Sequence, residues 1–274
     1  MCRMLGYGAR DHASLAEILG ERGLHDFTAL SRFHGHGWGL AWYDGQHGSL
    51  EKAPRRAADE PAYRELTHRG LGQLGLVHLR RATPGLPVMA GNCHPFQLDG
   101  VMMAHNGAIH PQERLGELEL PASVQRLEGT TDSERYFLHV MARLQANGGD
   151  MIAALDETIA HIDREFSVNS LNALVLTPDA LYAVCWYHPE RIPPGAVAQH
   201  GYHGPPERYF DLAYTETDRG VVVASTGWPQ DGWAGLPNRH VLVIDAETQR
   251  TKVEPLTAAG SASALPHLAG AIVS

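Results

Sequence analysis

Apolar and polar residues alternate along several short stretches of the chain, which is the period of a strand with one buried face. In GWGLAWY, residues Trp38, Leu40 and Trp42 share one face, and the turn sequence YDGQHG and the stretch SLEKAP follow, so a hairpin is predicted. The same reasoning predicts further strands at residues 2–7, 74–83, 100–109, 172–178, 180–187, 209–216, 220–226 and 240–245.

Other stretches carry apolar residues at the 3.6-residue spacing of a helix. The clearest is TTDSERYFLHVMARLQANGG, where Thr131 or Asp132 can cap the N-terminus and Gly148 and Gly149 end the helix. The segment DMIAALDETIAHIDREF follows directly as a second helix. Shorter helices are predicted at residues 14–19 and 59–70.

The order of these elements indicates the fold class. Two consecutive helices lie between groups of strands, and after residue 170 strands follow one another without intervening helices. This order is not the strict strand–helix alternation of a parallel sheet, and it favours an α+β fold of antiparallel sheets covered by helices. The Pro/Gly-rich segment 191–208 is predicted to be a long surface loop.

Composition narrows the class of protein further. The chain has 274 residues and a net charge of −9, which disfavours nucleic acid as a partner because such binding needs clustered Lys and Arg. No stretch is apolar over 18 residues, so no membrane span is predicted, and the N-terminus lacks a secretion signal. Cys2, Cys93 and Cys185 show no CxxC spacing, which favours free thiols in the cytoplasm and predicts neither a thiolate metal site nor a cofactor.

Cys2 directly follows the initiator methionine. If Met1 is removed, Cys2 carries both a thiol and a free α-amine, with reference pKa values of about 8.5 and about 7.7–8.0. The amine can then accept the thiol proton, so nucleophile and base lie on one residue. Cys2 is therefore a candidate catalytic nucleophile.

Three further groups supply what an acyl-transfer reaction at Cys2 needs. The side-chain amide of Asn106 and the backbone N–H of Gly107, in HNGAI, can donate to an oxyanion. Arg80 or Arg81, at the end of an apolar strand, can hold a substrate carboxylate. Asp132, at a helix start, can hold a substrate ammonium or act merely as a cap.

Five motifs occur in order: MCRMLGYG, HLRRATPG, NCHPF, AHNGAI and GTTDSE. Together they resemble the glutaminase domain of class II glutamine amidotransferases, whose nucleophile is N-terminal (the Ntn type), and in particular the stand-alone members. The resemblance covers Cys2 to about Leu144, with strands of the same domain expected to about Glu254. It implies a four-layer αββα Ntn-hydrolase sandwich with two antiparallel sheets, a single glutaminase domain over residues 2–256, and a C-terminal tail over residues 257–274.

The resemblance also implies roles for individual residues. Cys2 is the nucleophile, Asn106 and Gly107 form the oxyanion hole, Arg80 holds the glutamine α-carboxylate, Thr83 shapes the same loop, His94 lies near the substrate, and Asp132 holds the α-ammonium. The chain departs from the family pattern in three places. Many members have an aromatic residue in place of Arg81 and a histidine in place of Pro84, and an acidic residue often precedes GWG, where this chain has HGHGWG. Because His94 is present, the chain resembles the general stand-alone members more than those that cleave a γ-glutamyl amide from a sulfur metabolite.

The predicted function is hydrolysis of the γ-carboxamide of glutamine or of a γ-glutamyl amide through a Cys2 thioester, giving glutamate plus ammonia or an amine. One alternative is the glutaminase subunit of a two-protein amidotransferase, whose partner is a synthetase. A second is a metallohydrolase that uses histidines from the set His34, His36, His78, His94 and His105. A third places the reactive thiol at Cys93, and a fourth is a catalytically inactive binding module.

Overall fold

The structure is a computed structural model that describes residues 2–192, 195 and 197–257. Residues 258–274, which make up nearly all of the predicted tail, lie outside the described residues. No helix in the described ranges is both long enough and apolar enough to cross a membrane.

Thirteen strands form two antiparallel sheets in the described part of the chain. The first sheet has the order β11-β9-β10-β1-β4-β2-β3, with bounds β1 Arg3–Ala9, β2 Gly37–Asp44, β3 His47–Ala53, β4 Leu74–Arg80, β9 Leu212–Thr217, β10 Gly220–Ser225 and β11 Ala234–Leu236. The second has the order β13-β12-β8-β7-β6-β5, with bounds β5 Phe96–Leu98, β6 Val101–His110, β7 Ser167–Leu176, β8 Ala180–Cys185, β12 His240–Asp245 and β13 Thr251–Pro255.

Helices cover the outer face of each sheet. The helices α1 Leu15–Ala29 and α2 Pro61–Thr67 share an apolar cluster with the first sheet. The helices α4 Asp132–Ala146 and α5 Met151–Glu165 share another with the second sheet, and the short α3 Gln112–Glu117 packs nearby. A third apolar cluster lies between the two sheets, so the predicted four-layer αββα sandwich is confirmed.

Local sequence signals account for most of these elements. Thr131 caps α4, because its side chain accepts from the backbone N–H of Glu134 at 3.2 Å. Asp132 is therefore the first helical residue and not the cap. The prediction of a helix ending near Leu19 was too short, since α1 continues to Ala29 beyond Gly20, whose φ of +72° interrupts the helical backbone. The elements α3, β5, β11 and β13 were not predicted.

One glycine makes room for the chain segment that carries His94. A Cβ atom on Gly39, in the middle of β2, would collide with the carbonyl oxygen of His94. The absence of a side chain lets this segment cross the sheet closely. The sequence of β2 thus sets the position of a residue that lies more than fifty positions later.

Candidate active site

Cys2 lies immediately before β1, one of the central strands of the first sheet, and its side chain is buried. Its main-chain nitrogen donates to Oδ1 of Asn106 at 2.9 Å. Asn106 lies on β6 of the second sheet. This bond therefore joins the two sheets at the point where the candidate nucleophile lies.

The sulfur of Cys2 faces the chain just beyond the end of β4. The backbone N–H of Arg81 donates to Sγ, with 3.3 Å between nitrogen and sulfur. Sγ also lies 3.6 Å from the carbonyl oxygen of Arg81. These two contacts fix the direction of the Cys2 side chain.

Asn106 has a side-chain amide whose two ends differ in their surroundings. Oδ1 is taken by Cys2, whereas Nδ2 is buried and has no hydrogen-bond partner in the described part of the structure. A buried amide N–H without a partner is costly in a folded protein. Such a donor, fixed close to Cys2, is suited to an oxyanion that forms only during the reaction.

Gly107 follows Asn106 on the same strand and lines the pocket. A Cβ atom here would collide with the carbonyl oxygen of Ser170 on β7, which is the paired strand. Strand packing alone therefore requires a glycine at this position. Any role of its backbone N–H is additional to that requirement.

Asp132 is held by backbone donors from two elements. Its Oδ2 accepts from the N–H of Ile109 at 2.8 Å, and its Oδ1 accepts from the N–H of Ser133 at 2.9 Å. The pairing of β6 with β7 shifts register between Ala108 and Ile109. An irregularity of this kind removes a strand N–H from the regular ladder, and here that donor goes to the carboxylate.

Arg80 is the last residue of β4, and its side chain is buried. Its Nη2 donates to the carbonyl oxygen of Pro87 at 3.4 Å, whereas Nη1 is buried without a partner among the described residues. In the same ranges no carboxylate lies within 4.0 Å of the guanidinium. Arg80 is thus a buried cation with a free donor, which suits an incoming carboxylate.

These residues surround one pocket with a volume of about 600 Å³. Six of the seven predicted site residues line it: Cys2, Arg80, Thr83, His94, Gly107 and Asp132. Asn106, the seventh, is fully buried behind Cys2. Thr83 lies on the exposed loop that follows β4, so it reaches the pocket from the solvent side.

His94 belongs to a group of buried imidazoles beneath the pocket. The rings of His78 and His94 lie 4.2 Å apart between centroids, edge to face, and the opposite side of His94 packs against Phe96 at 4.6 Å. Burial, and then the charge of Arg80, lowers the pKa of His78 to about 3. Burial also holds the pKa of His94 well below its usual range, so both rings are neutral at pH 7.

These histidines bear on the metallohydrolase alternative. Within the described residues, no three His, Cys, Asp or Glu side chains are grouped so that they could hold a metal ion. The imidazoles of His78 and His94 contact each other as packed rings and do not converge on a common point. The geometry therefore gives no support to a metal site built from these histidines.

The site includes residues beyond the seven to which the sequence analysis assigned a role in the reaction. His105 bridges Ser133 Oγ at 2.9 Å and the carbonyl oxygen of Ser170 at 3.1 Å, which links strand β6 to the start of α4. Further residues that line the pocket are His36, Arg81, Ser133, Asn169, Gln199 and His200. His105 adjoins Asn106 in its motif, but no local signal marks Gln199 or His200, because they come from a loop that only tertiary packing brings to the pocket.

The other two cysteines lie apart from the pocket lining. Cys93 is fully buried, its Sγ contacts the carbonyl oxygen of Met89 at 3.5 Å, and burial raises the pKa of its thiol. Cys185 is buried in β8, where burial raises its pKa to about 12. Cys2 lines the pocket and Cys93 does not, and the raised pKa of Cys93 disfavours its thiolate, so both observations favour Cys2 as the nucleophile.

Residues 1–259 match the family model for class II glutamine amidotransferases. A Mycobacterium tuberculosis protein named γ-glutamyl-hercynylcysteine sulfoxide hydrolase is 25% identical over 252 residues, covering 89% of this chain and 93% of that protein. Glutamine–fructose-6-phosphate aminotransferase of Pseudomonas aeruginosa is 32% identical over 114 residues, covering 41% of this chain and 18% of that protein. The expectation that the chain stands apart from sulfur-metabolite hydrolases gains no support from these relatives.

Solved structures share the fold at lower identity. A class II glutamine aminotransferase domain protein of Silicibacter pomeroyi has a TM-score of 0.58 at 19% identity, covering 93% of this chain and 99% of its own. Glutamine phosphoribosylpyrophosphate amidotransferase of Bacillus subtilis has a TM-score of 0.61 at 15% identity, covering 94% of this chain and 49% of its own. With the match of the family model over nearly all of its length, the chain belongs to the class II glutamine amidotransferases, enzymes that act on the C–N bond of a γ-glutamyl amide.

Proposed function

We propose that this protein hydrolyses the γ-amide bond of glutamine or of a γ-glutamyl amide through a thioester on Cys2, and releases glutamate plus ammonia or an amine. The observation that carries the proposal is the Asn106 amide, because it holds the main chain of Cys2 with Oδ1 and leaves Nδ2 buried and unpartnered beside it. A donor in that position serves the charge that develops when sulfur attacks a carbonyl group.

The reaction proceeds in two halves. With Met1 removed, the α-amine of Cys2 takes the thiol proton, and the sulfur attacks the γ-carbonyl carbon. The resulting oxyanion receives hydrogen bonds from Asn106 Nδ2 and the backbone N–H of Gly107. The C–N bond then breaks, the leaving nitrogen takes the proton from the α-ammonium, and the glutamyl group remains on sulfur as a thioester.

Water completes the second half. The α-amine, again free, takes a proton from a water molecule, and the hydroxyl oxygen attacks the thioester carbon. The same donors hold the second oxyanion, the C–S bond breaks, and the proton on the amine returns to sulfur. Glutamate leaves and Cys2 regains its starting form, so no cofactor is consumed.

Arg80 and Asp132 form the clamp for the glutamyl head group in this proposal. Arg80 offers its free Nη1 to the α-carboxylate, and Asp132 offers a carboxylate to the α-ammonium. Two opposite charges fixed by backbone contacts match a zwitterion and orient its γ-amide toward Cys2. Thr83 and His94 line the same pocket and complete its walls.

The names of two relatives support two possible functions for this chain, namely hydrolysis of a γ-glutamyl amide and supply of ammonia to a partner. The Mycobacterium protein is named as a hydrolase of a γ-glutamyl compound and is matched over 93% of its length. The aminotransferase of Pseudomonas is matched over 18% of its length, which leaves most of that protein without a counterpart here. The hydrolase is therefore our first proposal, and the glutaminase subunit of a two-protein amidotransferase is the second.

We extend the proposal to domain boundaries and location. Among the described residues, the last strand of the two sheets ends at Pro255, which supports a single domain over residues 2–256. All three cysteines are free thiols, which is typical of a reducing cytoplasm.

The experiment is an assay of the purified protein by itself. Released glutamate is measured with glutamine and with a panel of γ-glutamyl amides, with a Cys2→Ala variant as the control for contaminating activity. Steady release that depends on Cys2 supports the hydrolase. Turnover that begins only when a synthetase subunit is added supports the second proposal, and release that survives in Cys2→Ala contradicts both.

A further inference from the structure

Arg80 and Arg81 are consecutive in sequence, but their guanidinium groups go to different parts of the pocket. Successive residues of an extended strand point in opposite directions. Nη2 of Arg80 donates to the carbonyl oxygen of Pro87, whereas Nη1 of Arg81 donates to the carbonyl oxygen of Phe33 at 2.9 Å. The backbone between them carries the N–H that holds the Cys2 sulfur.

The two arginines affect the pKa values of different buried histidines. Beyond the effect of burial, the charge of Arg80 lowers the pKa of His78, and His78 packs against His94. Burial lowers the pKa of His200 to about 4, and the charges of the chain N-terminus, Arg81 and Arg3 act in the same direction. The positive charge of Arg80 therefore lies near His78 and His94, and that of Arg81 lies near His200.

The part of the pocket near Arg81 is built by the segment that was predicted only as a surface loop. In its described part, Gln199 and His200 line the pocket. Nδ1 of His200 lies 3.0 Å from the hydroxyl of Tyr209, which fixes the ring. A small apolar cluster anchors the segment: Ile192, Val197, Tyr202, Tyr209 and Phe210.

The same segment is packed against the residue that holds Arg81. Gly201, with a φ of +69°, lies so close to the ring of Phe33 that a Cβ atom would collide with it. Phe33 in turn supplies the carbonyl oxygen that accepts from Arg81. The loop and the Arg81 side chain therefore form one continuous wall of the pocket.

Charge indicates what this wall recognises. Arg80 and Asp132 together match a zwitterionic glutamyl head group, which leaves the positive charge of Arg81 unmatched by substrate. Among described residues no carboxylate lies within 4.0 Å of the guanidinium of Arg81. An ammonia leaving group offers nothing to this cation, whereas a leaving amine with a carboxylate offers a charge-assisted hydrogen bond.

We propose that Arg81, Gln199 and His200 form a leaving-group subsite, and that the preferred substrates are γ-glutamyl amino acids, whose carboxylate lies next to the scissile nitrogen. This inference rests on the proposed function. The head group lies between Arg80 and Asp132, the scissile bond lies at Cys2, and the carboxylate of the leaving amine binds Arg81. Neutral His200 and the amide of Gln199 contact the rest of the leaving amine.

The test compares two substrates that differ only in one charge. γ-Glutamylglycine carries a carboxylate on its leaving amine, and γ-glutamylglycinamide carries a neutral amide of nearly the same shape. We expect kcat/KM for the purified protein to be about 10- to 100-fold higher for γ-glutamylglycine, the range for a hydrogen bond to a charged group. Equal values, or a preference for the glycinamide, would overturn the proposal.

Variants assign the preference to the subsite. In Arg81→Ala the ratio of the two kcat/KM values should fall to about 1, and Arg81→Lys should keep part of it because the charge remains. In His200→Ala, KM for γ-glutamylglycine should rise more than KM for glutamine, since ammonia is too small to reach the ring. Arg22→Ala is the matched control, because the Arg22 side chain is 93% exposed on α1, and its ratio should equal that of the parent protein. A preference that survives in both Arg81→Ala and His200→Ala contradicts the subsite.

Binding separates failure of this inference from failure of the proposed function. Calorimetric titration of the Cys2→Ala protein with the same two compounds needs no turnover. If the Cys2→Ala protein binds γ-glutamylglycine more tightly than γ-glutamylglycinamide, and the double variant Cys2→Ala/Arg81→Ala does not, the subsite is supported even if neither compound is hydrolysed. Equal affinity for the two compounds overturns the subsite even if hydrolysis is observed.

Discussion

The main-chain nitrogen of Cys2 and the side-chain Oδ1 of Asn106 are 2.9 Å apart and joined by a hydrogen bond, although 104 positions separate the two residues in the chain. The bond fixes the orientation of the amide, so Nδ2 is directed elsewhere and remains buried without a partner in the described structure. One contact between two sheets thus positions both the nucleophile and the donor that we assign to the oxyanion.

This relationship predicts the effect of two substitutions at Asn106. Asn106→Asp keeps an oxygen that can accept from Cys2 but removes the Nδ2 donor, whereas Asn106→Ala removes both. We expect both variants to lose about 10²–10³ in kcat, the usual effect of removing one oxyanion donor. Steady-state kinetics with glutamine or an active γ-glutamyl amide gives the values. A loss confined to KM would instead assign Asn106 to substrate binding in the ground state.

The mature protein is expected to begin at Cys2, because the mechanism needs a free α-amine as the base. Intact mass spectrometry of the purified protein should show a mass lower by one methionine residue. Separation of any unprocessed fraction allows a direct comparison of the two forms. Full activity in the form that retains Met1 would contradict a mechanism in which Cys2 supplies its own base.

Selective labelling should distinguish Cys2 from the other thiols. A glutamine analogue that carries an electrophile at the γ-carbon should label Cys2, because it combines a bound head group with a reactive sulfur. Cys93→Ala and Cys185→Ala should keep most of the hydrolytic activity, since both side chains are buried outside the pocket lining. Peptide mapping identifies the labelled residue, and label on Cys93 would favour that residue as the nucleophile.

Asp132→Asn tests the assignment of the substrate ammonium. The substitution keeps the size of the side chain but removes its negative charge, so KM should rise strongly for substrates with a free α-ammonium. For an analogue acylated at the α-nitrogen, which carries no charge there, KM should rise far less. Kinetics of both compounds with both proteins give the comparison, and equal losses would contradict the assigned role.

We expect the folded protein to lose stability in mild acid, because it contains buried neutral histidines. The pKa of His78 is lowered to about 3 in the folded protein, mainly by burial, whereas the unfolded chain protonates near 6.5. Between these two pH values the unfolded state binds more protons than the folded state. The contribution of His78 to the free energy of unfolding is therefore fully present above pH 6.5 and is lost as the pH decreases. One such histidine contributes a slope of about 1.4 kcal/mol per pH unit within that window.

Urea unfolding at pH 7 and pH 5.5 measures this slope while most carboxylates remain ionised. His78→Phe should reduce the difference in unfolding free energy between the two pH values. The matched control is His47→Phe, since His47 is exposed on β3. An unchanged slope in His78→Phe would show that other groups cause the acid sensitivity.

The sequence alone identified the residues of the candidate site and much of the fold. Thr131, the glycines after α4 and the alternation in β2 are local signals, and the structure places those elements where the signals predict. The five ordered motifs carried the seven site residues, because each motif contains its functional side chain within a short segment. Local signals were weaker for α1. Gly20 resembles a helix end in the sequence, but the helix continues to Ala29 because tertiary packing stabilises it.

Only the tertiary structure decided how those residues meet. The pairing of Cys2 with Asn106 depends on the register of two sheets, and the backbone donor from Ile109 to Asp132 depends on an irregularity in the pairing of β6 and β7. Arg81 and His200 share one wall because a loop closes through contacts with Phe33 and Tyr209. Such contacts join residues far apart in the chain, and short-range patterns of hydrophobicity and turn residues hold no information about them.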